Sequence, residues 1–396
     1  MAKYPRVREQ HIAVFGESGS GKTVLVSSFF GPTQERSYSN DLWDLVADDT
    51  GQGNRLYQNY LGMRDRARPP APTKFAATTY YFSVKLKGGD NAAAKQRPFD
   101  ALRLAWHDYP GEWFEESPSS EEEANRRVDT FRSLLGSDVA LLLVDGQKLL
   151  DYKGEEERYL KSLLTNFRQV VLRLKDDLLA DENRLVEFPR IWIIALSKAD
   201  LFPDWDIYNF RDLVIEKASN HIDDLRSTLK DLVETPEALS VGEDFMLLSS
   251  AKFEPSAADP DHVEIDVTQR VGLDLILPIA SMLPLERRVQ WNEQMEIPRQ
   301  VLDTLADGAE TLAAFLVGSK FSVVESLVSK LPKIGPLATK AALPALVAVA
   351  KMAGSQVRDM NTQARAHNDF LTATLTQLKL DLNHGVKDNL LIKSRK

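Results

Sequence analysis

Residues 16–23 have the types and spacing of a loop that binds phosphate. The pattern G-x-x-x-x-G-K-[ST] is met at every fixed position. In chain order the residues are Gly16, Glu17, Ser18, Gly19, Ser20, Gly21, Lys22 and Thr23, and Val24 follows them at the same candidate site. Backbone N–H groups of such a loop converge with a helix dipole on one anion. Lys22 would neutralise β- and γ-phosphate oxygens, and the Thr23 hydroxyl would ligate Mg²⁺.

A second motif, Asp108-Tyr109-Pro110-Gly111, comes just after a predicted strand at Ala101 to Trp106. A carboxylate at this strand end can reach Mg²⁺ through water. The N–H of Gly111 can meet a γ-phosphate, and hydrolysis removes that contact. An ordinary turn uses the same residue types, but the position after a phosphate loop favours a functional role.

Two further motifs concern the base. Ser197-Lys198-Ala199-Asp200 follows a predicted strand and is similar to the N/T-K-x-D pattern of GTPases, with serine in the first place. An aspartate there accepts hydrogen bonds from guanine N1–H and the exocyclic amine, a pattern that adenine lacks. Ser250-Ala251-Lys252 resembles the S-A-K element whose alanine N–H reaches guanine O6. Together the motifs predict a GTP/GDP site with Mg²⁺ rather than an ATP site.

The ordered set of motifs resembles the TRAFAC class of P-loop GTPases, and within it the YcjX-like family of bacterial proteins. The specific match is Asp108-Tyr109-Pro110-Gly111-Glu112-Trp113, and the resemblance covers roughly residues 10–255. It implies a GTP/GDP-binding domain, a bacterial cytoplasmic or inner-membrane-peripheral setting and a link to stress.

Two catalytic positions stay open at the sequence level. A switch threonine that coordinates Mg²⁺ is expected before the second strand, and Thr73 is preferred to Thr78 because of the family resemblance. Glu112 stands where Ras-like enzymes carry a water-positioning glutamine. A glutamate beside a triphosphate is repelled, so we expect slow hydrolysis that needs a partner or self-assembly.

The elements that must position these residues follow from apolar runs. His11 to Phe15, Val139 to Val144, Ile191 to Leu196 and Phe245 to Leu248 read as buried strands, and Thr79 to Lys87 forms a hairpin with Ala101 to Trp106. Helical patterns at Glu155 to Leu179 and Ile207 to Val233 separate later strands. The sequence predicts an α/β fold: a doubly wound, mostly parallel sheet with helices on both faces, followed by an α-helical C-terminal region.

The domain boundaries follow the same signals. A GTPase domain is expected over residues 1–284, with a long insertion at about 31–72 in which Asp41 to Met63 suits one or two short helices. Residues 285–396 are expected to be helical. The net charge of −9 argues against general affinity for nucleic acid. Cysteine is absent, which excludes disulfides, and no signal peptide is evident at the N-terminus.

The apolar stretches within 309–353 leave three readings open: a structural core, contact with a membrane surface, or a face that binds a partner. Lys340 and Lys351 lie too close together for an ordinary spanning helix. Residues 308–396 carry a net charge of +6, which suits anionic lipid or an acidic partner. The leading hypothesis is a GTP-hydrolysing switch with a protein effector and a nucleotide-dependent homodimer as candidate partners. The alternatives are a nucleotide-dependent binding module with negligible hydrolysis, and an ATPase.

Overall fold

An eight-stranded sheet forms the centre of the computed structural model. The structure describes residues 7–70, 77–88, 101–114, 118–179, 184–186, 188–255, 263–294, 349–350, 352 and 354–394. The strands are β1 Val7–Phe15, β2 Trp43–Ala47, β3 Thr78–Leu86, β4 Ala101–Asp108, β5 Val139–Asp145, β6 Ile191–Ser197, β7 Asp244–Leu247, β8 Lys252–Pro255, β9 Val263–Asp266 and β10 Leu391–Ile392. The helices are α1 Lys22–Phe30, α2 Thr50–Arg66, α3 Glu121–Leu135, α4 Gly146–Asp151, α5 Glu156–Leu178, α6 Ile207–Lys230, α7 Ile276–Gln294, α8 Ser355–Ala366 and α9 Phe370–Lys387.

The strand order is β10-β7-β6-β5-β1-β4-β3-β2, with β8 and β9 as a separate pair. Strands β7, β6, β5, β1 and β4 are parallel neighbours, whereas β3, β2 and β10 are antiparallel to theirs. The predicted doubly wound, mostly parallel sheet is confirmed. Because β1 lies at the centre of this order, the loop after it sits at the middle of the sheet's carboxyl edge.

Consecutive side chains of the central strands enter two separate cores. In β5, Leu141 and Leu143 pack into one cluster with α1 and α7, whereas Leu142 and Val144 pack into the other with α5 and α6. Each fully buried aliphatic side chain of this kind contributes about 1.5–3 kcal/mol. Both faces of the sheet are therefore covered, which explains why these strands read as continuous apolar runs.

The insertion differs from its prediction at one element. A helix, α2, is present as expected, but Trp43–Ala47 forms the edge strand β2, which pairs antiparallel with β3. Only Leu45 of this strand is buried among exposed and half-buried neighbours. Five residues with one buried position do not distinguish a helical turn from an edge strand, so tertiary pairing decided the outcome.

The described residues after 284 share the sheet and core of the residues before them. Helix α7 runs through Pro284, and α9 packs so closely on the turn before α7 that a Cβ at Gly385 would lie 2.5 Å from Leu275 Cδ1. Strand β10 then pairs with β7 at the sheet edge. The predicted stretches at 309–328 and 334–353 fall outside the described residues except for 349, 350 and 352. Among the described residues, no helix has the length and apolarity to cross a membrane.

Candidate functional site

The phosphate-binding loop connects β1 to α1, as the sequence predicted. Gly19 and Gly21 have φ angles of +81° and +89°, a left-handed backbone that glycine adopts without a Cβ penalty. The Ser20 hydroxyl donates to the carbonyl of Glu17 at 2.8 Å, which closes the loop on itself. Helix α1 begins at Lys22, and Gly21 is its N-cap.

Lys22 is buried at the base of this loop. Its Nζ donates to the carbonyl oxygens of Gly16 at 2.6 Å and Glu17 at 3.0 Å. The same ammonium lies 5.1 Å from the centre of the Tyr109 ring. These contacts hold a positive charge at the position where the sequence places the β- and γ-phosphates.

Tyr109 is a residue whose role sequence reasoning missed. Its ring is fully buried, and its hydroxyl accepts a hydrogen bond from the N–H of Gly16 at 2.6 Å. Burial raises the pKa of Tyr109 well above its ordinary value, so the hydroxyl keeps its proton. The aspartate motif is thereby anchored underneath the first residue of the phosphate loop. The only sequence signal was an aromatic residue directly after Asp108.

Gly111 approaches the phosphate loop from the other side. A Cβ added there would lie 2.3 Å from the amide nitrogen of Ser18 and 2.5 Å from the carbonyl carbon of Glu17. Both neighbours are backbone atoms that cannot swing aside. Only glycine fits this position without a shift of the backbone. The role of its N–H beside a γ-phosphate stays a prediction.

Asp108 and Thr23 meet at the edge of the loop, where a magnesium ion was predicted. The Thr23 hydroxyl donates to Asp108 Oδ2 at 3.1 Å. Oδ1 of the same carboxylate is buried and has no hydrogen-bond partner among the residues that the structure describes. Burial raises the pKa of Asp108 to about 6, although the Lys22 charge and the Thr23 hydroxyl lower it.

The residues present fit a hard cation. A hydroxyl and an unsatisfied carboxylate oxygen next to a phosphate site are the donors that Mg²⁺ takes when phosphate and water complete its octahedron. The described residues contain no cluster of three or more His, Asp or Glu side chains placed for a metal. An ion at this site would therefore depend on the nucleotide for part of its coordination.

The predicted base-binding residues form a second loop beside the first. Asp200 accepts hydrogen bonds from the Ser249 hydroxyl at 2.6 Å and from the N–H of Phe253 at 3.2 Å. Lys198 has a φ of +54°, which is uncommon for a residue other than glycine. Ser249 was not among the predicted residues, although it is the serine that contacts Asp200.

The neighbouring predicted residues lie around that contact. Ser250 and Ala251 are buried in the turn, and Lys252 begins β8 and pairs with Glu254 at 2.6 Å. The Ser197 hydroxyl donates to the carbonyl of Val144 at 3.2 Å.

One cavity of about 260 Å³ connects the two loops. It is lined by Ser18, Gly19, Gly21, Lys22, Thr23, Val24, Pro69, Pro70, Tyr109, Gly111, Lys198 and Phe253. The cavity therefore runs from the phosphate loop to the loop that was predicted to select the base. Pro69 and Pro70, from the end of the insertion, close one side of it.

Glu112 and Thr78, two candidates for catalytic roles, are not among the residues that line the cavity. Glu112 is half-buried in a 3₁₀ turn at Gly111–Phe114, outside the cavity wall. Thr78 opens β3 and is the register partner of Asp108, whereas Thr73 lies outside the described residues. Trp113 is buried and contacts the Arg127 guanidinium at 5.5 Å, a packing contact.

Comparison with known proteins identifies a family and, among many structural matches, a remote GTPase structure. A sequence model of the family described as Double-GTPase 2 matches residues 10–232, more than half of the chain. The crystal structure of a variant of Aquifex aeolicus Era bound to GDP.AlF4- has 12% identity, covers 74% of this chain and 70% of its own, and gives a TM-score of 0.27. The fold is assigned from the strand order of this chain and not from that structural similarity. No curated protein matches the chain.

Proposed function

The chain belongs to the Double-GTPase 2 family, and we propose that it is a magnesium-dependent GTPase switch with a low intrinsic rate. The family supplies a GTP-binding domain, in agreement with the resemblance to YcjX-like P-loop GTPases. The observation that supports the finer proposal is the single cavity shared by the phosphate loop and Lys198. A guanosine triphosphate lying along it would place its phosphates at one end and its base at the other.

The proposed reaction is attack of water on the γ-phosphorus, which breaks the bond to the β–γ bridging oxygen and yields GDP and inorganic phosphate. Lys22 would bind β- and γ-oxygens, and the amide of Gly111 would meet the γ-phosphate. Thr23 and Asp108 would hold Mg²⁺, which would neutralise charge that develops on the phosphate oxygens. Loss of the γ-phosphate would release Gly111, and the change would propagate from that loop.

A low rate is proposed because the residue after Gly111 is a glutamate that lies outside the cavity wall. An anion cannot approach a triphosphate without a cost in Coulomb energy. Activation by a partner or by a second copy of the chain would supply the missing group. The same observation favours the second candidate, a binding module in which GTP holds the chain in a complex with negligible hydrolysis.

Base selection is proposed to rest on Asp200. The Ser249 hydroxyl and the Phe253 amide orient this carboxylate, which would accept the N1–H and exocyclic amine of guanine. Adenine offers no donor pair in that arrangement and would leave the carboxylate unpaired. An ATPase is therefore the less favoured alternative.

Multiple-turnover phosphate release from GTP tests the enzymatic proposal, with Lys22→Ala as the inactive control. We expect slow release from the wild type that Lys22→Ala abolishes. Release that stays at background for the wild type, alone and with anionic vesicles, would support the binding module instead. Release from ATP at an equal or higher rate would contradict the guanine assignment.

Competition between guanine and xanthine nucleotides tests the role of Asp200. Asp200→Asn exchanges an acceptor for a donor, so we expect preference to move toward xanthosine nucleotides. Unchanged affinity for GDP in this variant would place base recognition elsewhere.

We also propose that nucleotide state is coupled to the helices after residue 284. Supporting contacts run from the site toward them: Arg270 donates to the carbonyl of Ser28 in α1 at 3.2 Å, and Val271 bridges to Ser249. Sedimentation with anionic vesicles, with and without GTP, tests membrane contact, and sedimentation velocity with GTP tests a homodimer. Equal results in both nucleotide states would contradict the coupling.

A further inference from the structure

Helix α4 lies between the phosphate loop and the base loop and contacts both. It follows β5 directly, and the Asp145 side chain caps it by accepting the N–H of Gln147 at 2.9 Å. No sequence motif marks this helix. Its N-cap, Asp145, and Lys148 in its first turn nevertheless each form an ion pair with one of the loops.

The pair to the phosphate loop joins Lys148 of α4 to Glu17. The distance from Lys148 Nζ to Glu17 Oε2 is 2.7 Å, and the Glu17 side chain is only 7% exposed. A carboxylate inside a loop that binds phosphate works against anion binding unless a cation neutralises it. Lys148 is placed to do so.

The pair to the base loop joins Asp145 to Lys198. Nζ of Lys198 lies 2.8 Å from Asp145 Oδ1 and 2.9 Å from Oδ2, and the aspartate side chain is 3% exposed. Both carboxylate oxygens share the ammonium, so its position is fixed more closely than by one contact. Lys198 also holds a left-handed backbone that costs energy for a side chain with a Cβ.

The backbone between the two ion pairs packs closely against the base loop. A Cβ at Gly146 would lie 2.7 Å from the carbonyl oxygen of Ser197 and 2.9 Å from that of Lys198. The N–H of Asp145 donates to the Tyr159 hydroxyl at 2.8 Å, which ties the start of α4 to α5. A displacement of one loop would therefore displace the other.

We propose that Asp145, Gly146 and Lys148, together the α4 bridge, position the two halves of the nucleotide site relative to each other. The Ser197 hydroxyl, first in the base motif, donates to Val144 on β5 rather than to the phosphate loop. The α4 bridge connects the two loops through its ion pairs to Glu17 and Lys198. The inference rests on the proposed guanine-nucleotide site. Asp145 and Lys148 are positioning residues, since neither is among the residues that line the cavity.

The dissociation rate of fluorescent GDP and of a non-hydrolysable GTP analogue measures the bridge. Asp145→Asn keeps an oxygen that caps α4 but removes the charge that holds Lys198. We expect dissociation to accelerate on the order of tenfold, equally for both nucleotides because they share the base. Lys153→Ala, an exposed lysine just past α4, is the matched control and should match the wild type. A change below twofold in Asp145→Asn would overturn the role of Asp145.

The Glu17–Lys148 pair is tested by rescue. Lys148→Ala leaves a carboxylate without this cation beside the phosphates, so the triphosphate analogue should lose more affinity than GDP. Glu17→Gln in the same protein removes the charge and should restore most of that loss, and Lys148→Arg should preserve wild-type affinity. A double variant no better than Lys148→Ala would overturn this half of the proposal.

Hydrogen–deuterium exchange of the nucleotide-free protein separates the bridge from the proposed function. Asp145→Asn should raise exchange in residues 197–200, and Lys148→Ala should raise it in residues 16–21, with Lys153→Ala unchanged. If the wild type bound no guanine nucleotide, the proposed function would be wrong. The exchange rates of the nucleotide-free variants would still show whether the α4 bridge positions the two loops. Unchanged exchange in both loops would overturn it, and a global rise would identify a folding defect rather than a lost bridge.

Discussion

Replacing Tyr109 with phenylalanine removes one oxygen atom from beneath the phosphate loop and leaves the ring in place. That oxygen accepts the N–H of Gly16 at 2.6 Å and donates to its carbonyl at 3.3 Å. The Gly16 carbonyl would still accept a hydrogen bond from Lys22. The removal of the Tyr109 hydroxyl therefore affects the Gly16 amide N–H most, because this group loses its acceptor. The space vacated by one hydroxyl is smaller than a water molecule.

The expected penalty follows from the burial of that amide. Leaving a buried donor unsatisfied costs about 1–3 kcal/mol. If the native loop opens locally, this range corresponds to a roughly 5- to 150-fold rise in the exchange rate of the Gly16 amide. A loop that is less ordered before binding also binds less tightly, so GDP affinity should fall by at least about fivefold.

Exchange measured by mass spectrometry on peptides spanning residues 12–22 provides the readout, together with calorimetric titration of GDP. Tyr208→Phe is the matched control, because Tyr208 is 42% exposed. Exchange and affinity within twofold of the wild type in Tyr109→Phe would refute the anchoring role. A ring that merely packs would give that result.

Three further perturbations test other parts of the structure. Gly111→Ala should move the segment around residue 111 away from Ser18, since the added Cβ would lie 2.3 Å from the Ser18 amide nitrogen. The rate of phosphate release should fall at least tenfold with little change in GDP affinity. A rate equal to that of the wild type would contradict the close approach. Burial and, second, the His11 charge lower the pKa of His107 to about 4 from an unfolded value near 6.5. The neutral His107 ring therefore contributes on the order of 3 kcal/mol to the free energy of unfolding above pH 6.5, and this contribution is lost as the pH falls toward 4. The free energy of unfolding of His107→Gln, measured by denaturation at pH 7 and 4.5, should depend less on pH than that of the wild type. Asp244→Asn should lower the unfolding free energy by about 3–5 kcal/mol, because it removes the carboxylate charge that pairs with the buried Arg287 guanidinium. A loss below 1 kcal/mol in urea denaturation would argue against that role of the pair.

Local chemistry explains why much of the site could be read from the sequence. The phosphate loop, with Gly19 and Gly21, needs a left-handed backbone followed by a helix, and only a narrow set of residues provides it. Strands β5 and β6 are buried on both faces, so their apolar runs are unambiguous. Strands β4, β1, β5 and β6 are parallel neighbours. Asp108 at the end of β4 and Lys198 after β6 therefore lie at the same edge of the sheet.

Other features had no local signature because they depend on contacts between distant residues. Strand β10 has two residues and exists because β7 offers a free edge to Leu391 and Ile392. Strand β2 was read as helix because its five residues carry one buried side chain. Ser249 rather than Ser250 contacts Asp200, a distinction that requires the path of the turn after β7.

The sequence by itself determined that a glycine-rich loop with the phosphate-binding pattern follows β1 and that an aspartate follows β6, since both depend on short runs of residues whose backbone preferences are intrinsic. Tertiary structure alone decided that Tyr109 lies under Gly16 and that Lys148 meets Glu17, 131 positions away in the chain. Such pairings arise because packing of the sheet and its helices sets which polar groups become neighbours, and no periodicity along the chain encodes that choice.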